Sequence, residues 1–296
     1  MLDAATTMGV ELPKIKRQSE WVVVARRLSR NSSAVIGFVV AVLLALMAIF
    51  APLIAPYPYD KQDLLHTRAA PSAEHIFGTD ELGRDVFSRI VWGSRFSLSI
   101  GFLAVLFSSS VGMVLGAIAG YFGGVVDDVI MRLMDVIQSI PGILLAITIS
   151  VVLGPGFFNT LLALGFGMIT MACRLTRAAV LGIRHQEYLE AATSINASIP
   201  RIIFRHVLPN SFAPVLVSAT MSIGNVIMAA AMLGFLGLGV QPPMPEWGSM
   251  IAGGRSLIRA CPWMVTFPGI FIMFTVLAFN MFGDGLRDAL DPRLKS

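Results

Sequence analysis

The stretch EAATSINASIPRIIFRHVLPN, from Glu190 to Asn210, is a polar interruption in a very apolar part of the chain. Residues 136–173 before it and residues 206–245 towards its end and beyond contain no Asp, Glu, Lys or Arg. A helix needs about 20 apolar residues to cross about 30 Å of hydrocarbon. The polar stretch therefore lies between segments long enough to span a bilayer, which predicts a membrane protein.

The overall composition supports this interpretation. Of 296 residues, 55% are hydrophobic and only 14% are charged, and the mean hydropathy of +0.76 is far above that of a soluble domain. The longest charge-free stretch is divided by Gly154, Pro155 and Gly156, which end one helix and permit a reversal. We therefore expect an all-α polytopic membrane protein with six transmembrane helices. The expected helices are Ala34–Ala55, Leu98–Ala119, Leu133–Val152, Thr160–Arg177, Ala213–Leu233 and Val265–Phe282.

The distribution of basic residues predicts the orientation. If both termini are cytoplasmic, 15 of the 22 Lys and Arg residues lie inside, as the positive-inside rule favours. The basic N-terminal segment is followed by an apolar run long enough to stay in the bilayer, so we expect no cleaved signal peptide. No basic face with interleaved aromatic residues occurs, which makes nucleic acid an improbable partner.

Two patterns in the second and third expected helices concern packing and charge. Gly112, Gly116 and Gly120 recur every four residues and predict a helix face that another backbone can approach closely. Asp128, Arg132 and Asp135 share a second face. They are interpreted as a structural ion cluster at the membrane surface, and the alternative is a proton relay. We expect no metal site.

The opening stretch itself has the pattern of two short amphipathic helices joined by a turn. Tyr188, Ala191, Ala192 and Ile195 form one apolar stripe at helical spacing. Asn196 tolerates the left-handed conformation that ends a helix, and Pro209 is expected to stop the second helix. Such a pair can lie on lipid headgroups or dock in a groove of a partner protein, and the pattern does not decide between these.

The same residues resemble the EAA loop of membrane subunits in bacterial ABC importers. That pattern is EAA, three residues, Gly, and a gap leading to I-x-LP; here Asn196 stands at the Gly position and His206 at the Ile position. In that family the loop is the coupling helix that inserts into the ATPase subunit. The resemblance implies an ATPase-coupling site made of Glu187, Glu190, Ala191, Ala192, Asn196, Arg201, Arg205, Leu208 and Pro209.

Further motifs narrow the resemblance to one subfamily. FGTDELGRDVFSRIVWGSRFSL (77–98), LGFLGLGVQPPMPEWGSMI (233–251) and FNMFGDGLRDALDPRL (279–294) are similar to the C-type permease subunit of dipeptide, oligopeptide and nickel importers, most of all the dipeptide permeases. This implies the type I ABC importer permease fold, ATP-driven import of dipeptides or short oligopeptides across the inner membrane, and no enzymatic activity. The implied partners are a B-type permease subunit, two ATPase subunits that bind ATP and magnesium, a periplasmic peptide-binding protein and the lipid bilayer.

The expected organisation follows from the spans and the resemblance. It consists of a cytoplasmic segment 1–33, a first transmembrane helix 34–55, a periplasmic loop 56–95 with an interfacial helix, an ABC transmembrane type-1 domain 96–283 with its EAA loop at about 178–212, and a cytoplasmic tail 284–296.

Other functions are less well supported by the residues. None of the four lysines ends a GxxxxGK[ST] loop, so no cofactor is expected in this chain and the energy must come from a separate one. Nickel or glutathione import by the same architecture is one alternative, and a proton-coupled secondary transporter is another. An intramembrane enzyme is the weakest, because no HExxH or GxSxG motif is present.

Overall fold

The computed structural model of the protein describes residues 20–290, which form helices and loops without a β-strand. The first 19 and last six residues, with parts of the expected segments 1–33 and 284–296, lie outside the described range. The helices are α1 Glu20–Arg30, α2 Ser32–Ile49, α3 Ala51–Ile54, α4 Val86–Phe122, α5 Gly124–Gln138, α6 Gly142–Leu153, α7 Phe157–Ile183, α8 Glu187–Ser194, α9 Ile199–Ile202, α10 Leu208–Phe235, α11 Trp247–Gly254 and α12 Trp263–Leu290.

The all-α architecture is confirmed, and the number of candidate spans is six when the bent pair α5 and α6 is counted as one broken span. Five helices are long and apolar enough to cross a membrane: α2, α4, α7, the continuous helix Ile199–Phe235 and α12. The pair α5 and α6 makes up the sixth. The breaker cluster predicted at 154–156 is present, since Gly154 ends α6 with a φ of 80° and α7 begins directly after Gly156.

The prediction of one continuous third helix, Leu133–Val152, is wrong. The chain bends by 85° between α5 and α6, at Ser139, Ile140 and Pro141. Pro141 has no N–H to donate into a helix and disfavours helical backbone at the residue before it. It becomes the N-cap of α6 with ψ at 130°. The 12-residue α6 is about 18 Å long, so it covers only part of the membrane thickness.

The expected interfacial helix in the loop 56–95 is also corrected. Its residues from Val86 onward form the first turns of α4, and the helix continues without a break to Phe122. Asp85 caps it by accepting the Ser88 N–H at 2.7 Å. Ile90 is fully buried, and its carbonyl accepts the Trp247 indole N–H at 3.0 Å. The apolar side of this segment therefore packs against protein rather than lying on lipid.

A buried carboxylate attaches α11 to α4 at the same end of the bundle. Glu246 is only 1% exposed, and its oxygens accept the N–H groups of Gly248 and Ser249 at 2.9 and 2.8 Å and the Ser97 hydroxyl at 3.3 Å. Burial raises the pKa of this carboxyl, and the three hydrogen bonds oppose the shift. Glu246 thus caps α11 and holds it against α4.

The centre of the bundle is the contact between α4 and α7. A Cβ atom added at Gly112 would meet Ala172 Cβ at 2.6 Å, and one at Gly120 would meet Val180 Cβ at 2.9 Å. At Gly116 it would overlap the Cys173 carbonyl oxygen. The three glycines predicted to share a packing face therefore all lie directly against α7. α10 packs on α4 and α7, α12 on α10, and α2 on α12.

This contact predicts that substitution of Gly116 destabilises the protein, whereas substitution of Gly182 does not. Gly116→Val should place a side chain where the backbone of α7 lies, and overpacking of this kind costs about 1–3 kcal/mol or more. We expect a lower melting temperature and reduced yield of monodisperse protein in size-exclusion chromatography. Gly182→Val is the matched control, because Gly182 is exposed and a Cβ there meets no atom within 4 Å. Equal behaviour of the two variants would contradict the packing described.

Candidate functional site

The polar segment begins with α8, which follows α7 after a short turn. Glu187 and Glu190 lie in its first turn, where the helix dipole favours negative charge. Asn196 has a φ of 56°, and the Ala197 N–H donates to the Ala192 carbonyl at 3.1 Å. This is the hydrogen bond of a left-handed helix cap. The left-handed conformation predicted for Asn196 is therefore observed, and it ends α8.

One side of α8 is packed tightly against the bundle. Leu189 is 2% exposed and Ala192 is 7% exposed. Both belong to a small apolar cluster with Ala117 at the end of α4 and Val180 near the end of α7. Burial of a leucine side chain contributes about 1.5–3 kcal/mol. The cluster therefore fixes α8 to the ends of the two helices that form the centre of the bundle.

The other side of the segment presents large apolar side chains to the surroundings. Ile195 is 81% exposed, and Phe204, Ile199 and Tyr188 are 62%, 46% and 40% exposed. Of the predicted stripe, Tyr188, Ala191 and Ile195 are exposed, and Ala192 is buried against the bundle. Large apolar side chains exposed on a segment rich in polar residues are typical of an interaction surface.

Four charged side chains of the segment are exposed and unpaired. Glu187, Glu190, Arg201 and Arg205 are all exposed, and none makes an ion pair with another residue in the range 20–290. The acidic pair lies on α8 and the basic pair on the next helix. The surface therefore offers charges of both signs beside its apolar side chains.

The second half of the segment differs from its prediction. Ser198 stands at the N-cap of α9 without a side-chain capping bond, and Pro200 lies in the first turn. A π-helical turn at Ile203–Val207 then leads directly into α10. Pro209 does not stop the helix. The wider π turn, with Leu208 N–H donating to the Ile203 carbonyl, leads into α10 with Pro209 in its first turn, where its missing N–H is tolerated.

A cleft opens beside α8. It has a volume of about 540 Å³ and lies between the end of α4 and α8, with Tyr121, Phe122, Arg184 and Glu190 in its walls. The Arg184 Nε–H donates to His185 Nε2 at 2.9 Å. The cleft leaves the polar edge of α8 accessible along its length. A side chain of a docked protein can therefore reach Glu190 from this direction.

The three charged residues that were predicted to form a cluster do not pair with one another. Asp128, Arg132 and Asp135 are all exposed, and among the described residues no ion pair joins Arg132 to either aspartate. Asp135 instead pairs with Arg174 of α7 at 2.5 Å. The two side chains are 50% and 42% exposed, so this pair contributes at most about 1 kcal/mol.

A stronger ion pair was missed by the sequence patterns. Asp127, next to Asp128, accepts two hydrogen bonds from the Arg177 guanidinium, each of 2.5 Å. Bidentate pairs of this kind are geometrically specific. Spacing within one helix could not reveal a pair that joins residues 50 positions apart. Together with the Asp135 pair it holds α5 against α7.

Residues 20–290 contain no group of three or more His, Cys, Asp or Glu side chains that could hold a metal ion.

Comparison with known protein families identifies two matching regions. Residues 112–296 match the family described as "Binding-protein-dependent transport system inner membrane component". Residues 19–71 match "N-terminal TM domain of oligopeptide transport permease C".

Curated relatives match over nearly the whole chain. The dipeptide transport system permease protein DppC of Alkalihalophilus pseudofirmus is 47% identical over 94% of this chain and 91% of its own length. DppC of Haemophilus influenzae is 42% identical over 96% and 97%. The glutathione transport system permease protein GsiD of Pectobacterium atrosepticum is 43% identical over 98% and 97%.

A solved structure shares the fold. The inward-facing MetNI methionine ABC transporter contains a chain that matches 69% of this chain and 97% of its own length, with a TM-score of 0.54 and 18% identity. The type I importer fold implied by the sequence motifs is confirmed. The chain therefore belongs to the inner membrane components of binding-protein-dependent transport systems, and it is a permease subunit of an ABC importer rather than an enzyme.

Proposed function

We propose that this chain is the C-type permease subunit of an importer for dipeptides or short oligopeptides. In this proposal it forms a heterodimer with a B-type permease subunit, and α8 with the start of the next helix is the docking surface for an ATPase subunit. ATP and magnesium bind to the ATPase subunits, and a separate binding protein delivers the peptide from outside. Both termini are cytoplasmic, in agreement with the basic residues Arg26, Arg27 and Arg30 before the first span.

The observation that carries the docking role is the two-sided character of α8. Leu189 and Ala192 fix it to α4 and α7, whereas Ile195 and the unpaired Glu190 are exposed. A force applied to the exposed side is therefore transmitted to two spans at once. The continuous helix Ile199–Phe235 transmits it to a third. Closure of the ATPase subunits on ATP would in this way move the spans between inward and outward openings.

The substrate class rests on the relatives. Two of the relatives described above are named for dipeptides and one for glutathione, and glutathione is itself a tripeptide derivative. The same family architecture with nickel as its cargo is the alternative that the sequence leaves open.

Peptide import can be tested in a reconstituted system. The chain is assembled in liposomes with its co-purifying permease, ATPase and binding-protein partners, and a labelled dipeptide is supplied outside. We expect accumulation that requires both ATP and the binding protein. Accumulation of Ni²⁺ or intact glutathione without dipeptide uptake would show that the substrate is one of these instead of a dipeptide. Uptake by this chain alone under a proton gradient would refute the proposal that it works as a subunit of an ATP-driven importer.

If this surface docks the ATPase subunit, substitutions on it should weaken assembly of the complex without changing the folding stability of this chain. Because Ile195 is 81% exposed, Ile195→Asp should change the folding free energy by no more than about 0.5 kcal/mol. It should nevertheless reduce co-purification of the ATPase subunits and uptake, and Glu190→Arg should act in the same direction. Leu65→Asp is the control, because Leu65 is 91% exposed in the loop before α4. Normal uptake and ATPase binding in both α8 variants would refute the docking role.

The alternative proton relay gives a third test. The double variant Asp128→Asn and Asp135→Asn removes the exposed carboxylates and the weak Arg174 pair but leaves the Asp127–Arg177 pair intact. We expect ATP-driven uptake close to that of the unmodified complex. A proton relay would instead lose uptake completely while the amount of assembled complex stayed unchanged.

A further inference from the structure

The helix α10 contains polar side chains of two kinds. Its Ser, Thr and Asn residues are Asn210, Ser211, Ser218, Thr220, Ser222 and Asn225. Asn210, Ser211 and Thr220 donate to backbone carbonyls one turn earlier, at 2.6, 2.7 and 2.9 Å. The side chains of Ser218, Ser222 and Asn225 make no hydrogen bond with any residue in the described part of the chain.

These three unbonded side chains share one face of the helix. Their spacing of four and three residues places them along a single line. The opposite face carries Thr220, Ile223 and Ile227, which are 8%, 9% and 1% exposed and pack in the bundle. The polar line is therefore the less buried side of α10, with Asn225 exposed and Ser218 and Ser222 half-buried.

Two hollows adjoin this polar line. A cavity of about 230 Å³ lies between α6, α7 and α10, with Gly142, Leu164, Met168 and Asn225 among its lining residues. A narrow crevice between α4, α7 and α10 is lined by Ser109, Met171, Ser218 and Ser222, and Met168 lines it as well. Met168 borders both hollows, so they adjoin one another along α10 as a track, whose crevice end of about 10 Å³ has room for no more than a water molecule.

Lipid is a poor neighbour for this track. Transfer of an amide from water to an environment without hydrogen-bond partners costs about 4–8 kcal/mol. Polar side chains in membrane spans accordingly face protein or a water-filled cavity. A cavity of about 150 Å³ can hold a benzene molecule, so the space beside Asn225 is large enough for an apolar side chain together with a polar contact.

We propose that this track is the subsite of this chain for a peptide in transit. The Asn225 carboxamide donates to a peptide carbonyl and accepts a peptide N–H. The cavity beside Leu164 receives an apolar side chain of the peptide. Met168 and Met171 supply flexible, polarisable walls that adapt to different side chains. This inference rests on the proposed peptide import and specifies where the peptide is held.

The test uses single cysteines in the assembled complex. Cys173 and Cys261 are free and buried, and both are first replaced by alanine in a variant that must retain uptake. Asn225→Cys and Ser222→Cys are then introduced, and the complex in nanodiscs is treated with a membrane-impermeant thiol reagent. Leu43→Cys is the matched control, because Leu43 is 59% exposed on the apolar α2.

We expect modification at positions 225 and 222, none at position 43, and about tenfold slower modification of the first two during dipeptide turnover. Asn225→Leu should raise the KM for dipeptide uptake by about tenfold, the equivalent of one lost hydrogen bond, without reducing ATPase co-purification. Asn225→Gln should restore part of the loss.

The opposite results are equally informative. If position 225 reacts in the isolated chain but not in the complex, the face is covered by the second permease subunit and the subsite is refuted. The same holds if Asn225→Leu transports dipeptide normally. Both outcomes leave peptide import standing, whereas absence of uptake by the unmodified complex would refute the proposed function instead.

Discussion

The close contact between α4 and α7 determines how the other helices of the bundle are placed. Lipid tails are as apolar as the helix surfaces, so helices in a membrane associate through tight packing rather than through the hydrophobic effect. Gly112, Gly116 and Gly120 remove side chains from α4 where Ala172, Cys173 and Val180 of α7 approach. Without that approach the ends of the two helices would separate.

The position of α8 follows from this contact. Val180 lies against Gly120 at one end of the glycine face, and together with Ala117 it packs against Leu189 and Ala192. The surface that faces away from the bundle is thus oriented by packing inside it. A permease subunit that takes its energy from another chain needs such a link, because displacement of a loosely attached loop would not move the spans.

Local sequence patterns predicted features that depend on a few neighbouring residues. The glycine face, the break at 154–156 and the left-handed Asn196 are set by backbone and side-chain geometry within one or two turns. The effects of Pro141 and Pro209 were nevertheless predicted wrongly. A helix was expected to pass Pro141 and to stop at Pro209, yet the chain bends before α6 and continues through a π turn into α10.

Longer-range arrangements could not be derived from spacing. Asp128 and Arg132 are one turn apart and suggested an ion cluster, but the bidentate partner of Arg177 is Asp127, and only the three-dimensional structure brings them together. Leu189 was also overlooked, although its spacing of three from Ala192 is that of neighbours on a helix face. It lies on the packed side of α8, opposite the residues that the sequence motif emphasises.

The bend at Pro141 also gives the two halves of the third span different neighbours. Residues of α6 line the cavity beside Asn225, whereas among the lining residues of the two hollows none belongs to α5. Instead α5 is held against α7 by the bidentate pair of Asp127 with Arg177. Because the chain turns by 85° directly before Gly142, α6 reaches the side of α10 that carries Asn225 while α5 stays on α7. The proline that breaks the third span therefore separates a half that packs against α7 through charges from a half that borders the cavity.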